Sequence, residues 1–148
     1  MLERRLLSAA IVDQIHTVTG MPTDLAHAPQ GGGWQGQPNL DASNFVAYSV
    51  VTPQTATLAS GPLSDPQADR LLPYAISSFG VSPVQTEWMA DKARAAAELL
   101  KKTHVVLGDA TYTIQQVRTD VIGGLMRVDS TEPAYWGQVD VLTLWITR

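Results

Sequence analysis

Tyr135-Trp136-Gly137-Gln138-Val139-Asp140-Val141-Leu142-Thr143-Leu144-Trp145-Ile146-Thr147, close to the C-terminus, is the stretch on which the fold turns. It reads as the last and longest strand. Side chains of a strand alternate between the two faces of its sheet, so Val139, Val141 and Trp145 share one face while Leu142, Leu144 and Ile146 share the other. Both faces are apolar toward the C-terminal end, and an apolar face has to be covered. Helices can cover one face, which in a chain of 148 residues leaves the other for a further subunit. The strand residues Trp136, Leu142, Leu144, Trp145 and Ile146, together with Trp34 in a loop, are therefore the candidate residues of a subunit or partner interface.

Further toward the N-terminus, Tyr112-Thr113-Ile114-Gln115-Gln116-Val117-Arg118 reads as another strand, followed by a loop that holds Gly123-Gly124. Ahead of it stands the sharpest local signal in the chain. Ser82-Pro83-Val84-Gln85 sets a capping serine, a proline at the first helical position and a glutamine three residues after the cap, positioned to reach back to the serine N–H. The helix so started runs to about Lys102, with Met89, Ala93, Ala96, Ala97 and Leu100 inward and Glu87, Asp91, Arg94, Glu98, Lys101 and Lys102 toward water. An inner stripe built largely of alanine permits close approach to a flat partner such as a sheet. Leu71–Phe79, with Pro73 near its start, and Asn44–Thr52 read as two strands that pair through a long connection. Leu7, Ile11, Ile15 and Val18 recur at helical spacing, and Gly20-Met21-Pro22 stops that first helix.

The order α-β-β-α-β-β predicts an α+β fold, a mostly antiparallel four-stranded sheet with two helices packed on one face, in a single domain over 1–148. Long loops are expected at 22–43, 52–69 and 120–134. The first contains Gly31-Gly32-Gly33-Trp34, and a structureless stretch of that length marks function or mobility. Two readings of Trp34 stand side by side: an anchor on a flexible arm, or a ring folded back onto the core.

Composition narrows the function classes. The hydrophobic fraction of 45% and net charge of −4 exclude a disordered chain, and a chain of this size buries roughly two thirds of its unfolded surface without staples. Ten basic against fourteen acidic side chains argue against gripping a phosphate backbone. Met1-Leu2-Glu3-Arg4-Arg5 opens no secretory leader, no apolar run reaches membrane-spanning length, and the lack of cysteine removes disulfides and thiolate chemistry. No membrane partner is expected.

Catalytic signatures are sparse. Gly31-Gly32-Gly33 lacks the Gly-Lys-Ser/Thr and the helix start of a phosphate cradle. His16, His27 and His104 begin no metal-ligand spacing; Asp13 and His16 share a helix side without a third ligand. No Gly-x-Ser-x-Gly elbow occurs, and Trp34, Trp88, Trp136 and Trp145 are spread over loop, helix and strand in the manner of core and interface residues. Neither enzyme activity, cofactor nor metal is expected.

Four stretches together carry a resemblance: Asn44–Val51; the loop Ser60-Gly61-Pro62-Leu63-Ser64-Asp65-Pro66-Gln67-Ala68-Asp69; the extended Tyr74–Gly80; and the helix Gln85-Thr86-Glu87-Trp88-Met89-Ala90-Asp91-Lys92-Ala93-Arg94-Ala95. In these the chain resembles the tail terminator proteins of long-tailed, non-contractile (siphovirus-type) actinobacterial phages. The likeness is close over the middle third and elsewhere rests on element order; the Pro29–Pro38 segment has no counterpart. The resemblance implies a small α+β subunit of a ring, hexameric in that family, which caps the tail tube, ends its polymerisation and docks head-completion or neck proteins while DNA passes through. It implies as partners other copies of the chain, the tail tube protein and a neck protein, and as location the virion tail–neck junction after assembly in the host cytoplasm. Another neck component, such as a head-closure or head–tail joining protein, and a small α+β ligand-binding or enzyme domain are the rival expectations.

Overall fold

Ser82 starts its helix as its neighbours require: its side chain accepts from the Gln85 N–H at 3.1 Å, with Pro83 in the first turn. Gln85 reaches one residue further back than expected, its Oε1 accepting from the Val81 N–H at 2.7 Å rather than from that of Ser82. The computed structural model describes residues 4–34, 41–55, 57–58, 70–108 and 110–147. In chain order the elements are α1 (Arg4–Thr19), β1 (Thr23–Leu25), a 3-10 turn (Ala42–Asn44), β2 (Tyr48–Pro53), β3 (Thr57–Leu58), β4 (Arg70–Gly80), α2 (Pro83–Glu98), β5 (His104–Leu107), β6 (Ala110–Ile122), β7 (Met126–Val128) and β8 (Tyr135–Thr147).

The expected α+β class and both helices are present, but the sheet has eight strands among the described residues rather than four, in the order β1-β2-β4-β8-β6-β5 with β3 beside β4 and β7 beside β8. It is mixed: β1 runs parallel to β2, and every other pairing is antiparallel. The four long strands are the expected ones. The additions are short pieces inside segments that read as loops or show no period of their own: β1 within 22–43, β3 within 52–69, β7 within 120–134, and β5 after the second helix. β6 also runs past Asp120 to Ile122, into the expected third loop. Ser60–Asp69, the loop that contributes to the resemblance, lies outside the described residues, as does 35–40 of the Gly-rich segment.

β4 and β8 form the centre, paired from Arg70↔Ile146 to Gly80↔Trp136. β6 and β7 run in line along the far side of β8, interrupted at Gly123. A Cβ on Gly123 would stand 2.1 Å from the Val139 carbonyl oxygen, so only glycine lets the chain pass the interruption against β8.

Both helices lie on one face of the sheet, as expected. Leu7, Ile11 and Ile15 of α1, Met89, Ala93 and Ala96 of α2, and Tyr74, Ile76, Leu142, Leu144 and Ile146 of the central strands all belong to one buried cluster. The Tyr74 hydroxyl would be costly to bury alone. It meets Ser8 Oγ at 3.1 Å, while the Arg4 guanidinium lies 4.7 Å over its ring and bonds the carbonyls of Gln54 and Pro73. These contacts pin the start of α1 to β4. No described helix is long and apolar enough to cross a membrane.

Candidate docking surface

Strand alternation decides what the other side of the sheet displays. Even-numbered residues of β8 face the helices, and odd-numbered ones form the uncovered face with their register partners Leu71↔Trp145, Pro73↔Thr143, Ala75↔Val141 and Ser77↔Val139 of β4. β6 and β7 extend this face by Val121 beside Val141 and Met126 beside Gly137. Val139, Val141, Leu71 and Pro73 are half-buried, whereas Trp145, Val121 and Met126 are 41%, 51% and 56% exposed. Among the described residues no helix covers this face, and a sheet face with several partly exposed apolar side chains marks a candidate docking surface.

One end of that face is closed by aromatic rings. Phe79 stacks on Tyr48 at a centroid distance of 4.9 Å and packs near Tyr135, and Phe45 bridges Tyr48 and Tyr135. Trp34 meets Phe45 edge-on at 4.9 Å and 84°. It is held there because Gly33, at φ +65°, exchanges backbone hydrogen bonds with Val46 at 2.8 and 2.9 Å. Trp34 is thus the folded-back ring of the two readings, and its Nε1–H is buried with no acceptor among the described residues. Burial pushes the Tyr48 hydroxyl up to about 12, with Tyr135 adding to the shift.

Three polar residues on the face, Thr143, Asp120 and Arg118, are matched to one another. Thr143 Oγ1 donates to Asp120 Oδ2 and Arg118 Nε donates to Asp120 Oδ1 at 2.6 Å. The Thr143 hydrogen bond, with Arg118 assisting, holds the Asp120 carboxyl below the usual carboxylate range although partial burial opposes it. On the helix side, Arg94 leaves the water-facing set. Its Nη1 reaches Asp140 Oδ2 at 3.0 Å and its Nη2 reaches Asp91 at 2.6 Å. Asp140, 1% exposed, also accepts from Gln138 Nε2 and the Gly123 N–H, so a buried carboxylate ties α2, β8 and the β6–β7 interruption together. Burial works against the Arg94 charge, but the two carboxylates outweigh it and raise the pKa.

The structure divides the six expected interface residues. Leu142, Leu144 and Ile146 are 0%, 2% and 1% exposed beneath the helices, so an interface role for them is corrected to a core role: one copy of the chain already covers them. Trp145 lies on the uncovered face, and Trp136, half-buried, takes the helix-side register near the start of α2. Val121 and Met126 were missed because they flank Gly123-Gly124, which reads as a loop.

Two concavities among the described residues are open and shallow. A cleft of about 230 Å³ between α1 and the β1 segment is lined by Asp13, His16 and Asp24 among others. The His16 Nδ1 is engaged with the Met21 carbonyl at 2.9 Å, and the described residues hold no group of three side chains that could bind a metal. A second cleft, of about 200 Å³, lies on the uncovered face beside Arg118 and Thr143.

Neither a family model nor a curated protein matches the chain. The fold is shared with a chain of the solved structure described as "Virion of native gene transfer agent (GTA) particle". The TM-score is 0.56 at 13% identity, and the match covers 98% of this chain and 97% of that one. At that identity the likeness is one of fold.

Proposed function

We propose that the chain is a non-enzymatic structural subunit of a phage-like virion, a single tail-terminator-like domain over 1–148 that assembles with copies of itself into a ring, hexameric as the resemblance implies. The ring caps the tail tube, ends its polymerisation and offers its other rim to a head-completion protein at the tail–neck junction, while DNA passes through. The observation that carries this reading is the uncovered apolar face around Trp145, Val121 and Met126, set on a fold shared end to end with a virion chain. Exposed apolar area on that scale is worth covering: each large side chain fully removed from water contributes about 1.5–3 kcal/mol. The net charge of −4 supports a conduit, since a basic lumen would hold DNA by counterion release.

The interface assigned to this role includes Trp145 and excludes the buried Leu142, Leu144 and Ile146. Trp34, folded back on Phe45, and Trp136, on the helix side of β8, are both half-buried, and their part-exposed surfaces are assigned to partner contact. The test adds the purified protein to elongating tube subunits from the same particle and measures tube length by electron microscopy. Short, capped tubes at stoichiometric protein are the expected result; unchanged lengths overturn the reading.

A further inference from the structure

A long, straight sheet edge is a hazard, because its unpaired N–H and C=O groups template the addition of another chain. Three strands of this sheet are too short to offer one: β1 has three residues, β3 two and β5 four. β6 is different. β5 pairs with it only from Ala110 to Thr113, and Ile114 bonds through its backbone to Lys102 and Thr103. Beyond that point no described strand lies on its outer side, which leaves roughly 25 Å of edge open from Gln115 to Ile122. Four of these eight residues, Val117, Thr119, Val121 and Ile122, are β-branched, so the composition favours pairing.

Two bulges break that edge. Between Ile114 and Gln116, and again between Thr119 and Val121, β6 carries one residue more than β8. Each extra residue is tied by its side chain to a threonine of β8: Gln115 Nε2 donates to Thr147 Oγ1 at 2.9 Å, and Asp120 Oδ2 accepts from Thr143 Oγ1. A basic side chain completes each tie, Lys102 Nζ donating to Gln115 Oε1 at 3.3 Å and Arg118 Nε to Asp120 Oδ1 at 2.6 Å. A bulge bends its strand, increases the twist and interrupts the regular spacing of the outer donors and acceptors. The longest straight run that remains is Gln116–Thr119, no longer than β5.

We infer that the tied bulges are a device against strand addition: they keep the open edge of β6 from pairing with another chain. Copies of the protein and its partners then join through side-chain surfaces and not by extending the sheet. The inference goes beyond the ring reading and does not depend on it. An edge that accepted strands would offer open-ended growth, which any closed assembly has to suppress.

Asp120→Val removes one tie and the double variant Q115V/D120V removes both. Asp129→Val, which takes an exposed carboxylate from Arg127 just past β7, is the control. The tie variants are expected to keep a native circular dichroism spectrum and to form thioflavin-positive assemblies at least about tenfold faster than the control. Hydrogen exchange on those assemblies should show new protection over residues 115–122. Assembly no faster than the control, or assembly without that protection, overturns the inference. A further measurement needs no substitution and stands even if a variant fails to fold. In the wild-type protein, alone at high concentration and with tube subunits, the outward amides of 115–122 should stay unprotected; protection there would make the edge a pairing surface and overturn the inference.

Discussion

The two faces of β8 are made of similar residues and have opposite fates. Leu142, Leu144 and Ile146 are interior, at most 2% exposed, while one residue away Trp145 is 41% exposed and Val139 and Val141 are half-buried. Hydrophobicity does not separate them, since tryptophan and valine want cover as leucine does. What separates them is where the helices land: α1 and α2 both pack on the even-numbered side, and no described helix covers the odd-numbered side. Exposed apolar area is informative where the fold has spent its covering elements elsewhere.

The largest effect falls on the covered face. Leu144→Ala is expected to cost about 2–5 kcal/mol as a cavity beneath the helices, and Leu144→Asp to abolish the folded state. Trp145→Ser should cost about 1–2 kcal/mol, for the part of the ring its own chain buries, and leave the circular dichroism spectrum unchanged. Urea denaturation of the three variants checks the contrast. Equal destabilisation by Leu144→Ala and Trp145→Ser would break the comparison between the faces.

A smaller but still large difference separates two carboxylates. Asp140 on the helix side is enclosed with Arg94, whereas Asp120 on the open face is partly exposed and matched by Thr143 and Arg118. Removing one partner of a buried pair strands the other charge, so Asp140→Asn is expected to cost about 3 kcal/mol. Asp120→Asn, at a partly solvated pair, should cost less than about 1 kcal/mol. Thermal unfolding of the two variants at neutral pH sharpens the contrast, and a larger loss for Asp120→Asn would reverse it.

Most of the framework was legible because the long elements carry a period. The Leu7, Ile11, Ile15 stripe, the Ser82-Pro83 cap and the alternation of β8 each repeat over enough residues to be read, and they set the order of the long elements. The short strands were not legible, because two to four residues show no period; β1, β3, β5 and β7 exist by pairing with longer neighbours. Gly123-Gly124 reads as a loop, yet Gly123 is where β6 breaks while staying pressed against β8, a close approach that no local signal declares. Which face of β8 is covered depends on the handedness of the connections, so four of the five expected interface residues on β8, Trp136, Leu142, Leu144 and Ile146, lie on the helix side. One missed feature did have a signal: Asp140 is a lone acid in the buried register of an apolar strand, which demands a basic partner, and Arg94 supplies it.

The smallest effect concerns protons on the open face. Asp120 has a folded-state pKa below its ordinary 3.8, chiefly because Thr143 donates to it. A carboxyl depressed by folding adds stability that is complete above its unfolded pKa and is lost as pH falls through the folded value, since the unfolded chain binds the proton more readily. Thr143 is 8% exposed, so Thr143→Val keeps its volume and removes only the donor. The variant is expected to be slightly less stable than wild type at neutral pH, with the gap narrowing as pH falls below about 4, where protonation removes the advantage of donating to a carboxylate. Urea midpoints of both proteins, measured from about pH 6 to about pH 3, test this. A gap that stays constant over that range would mean that the threonine acts by packing alone, and that the open face holds its polar groups by shape rather than by charge.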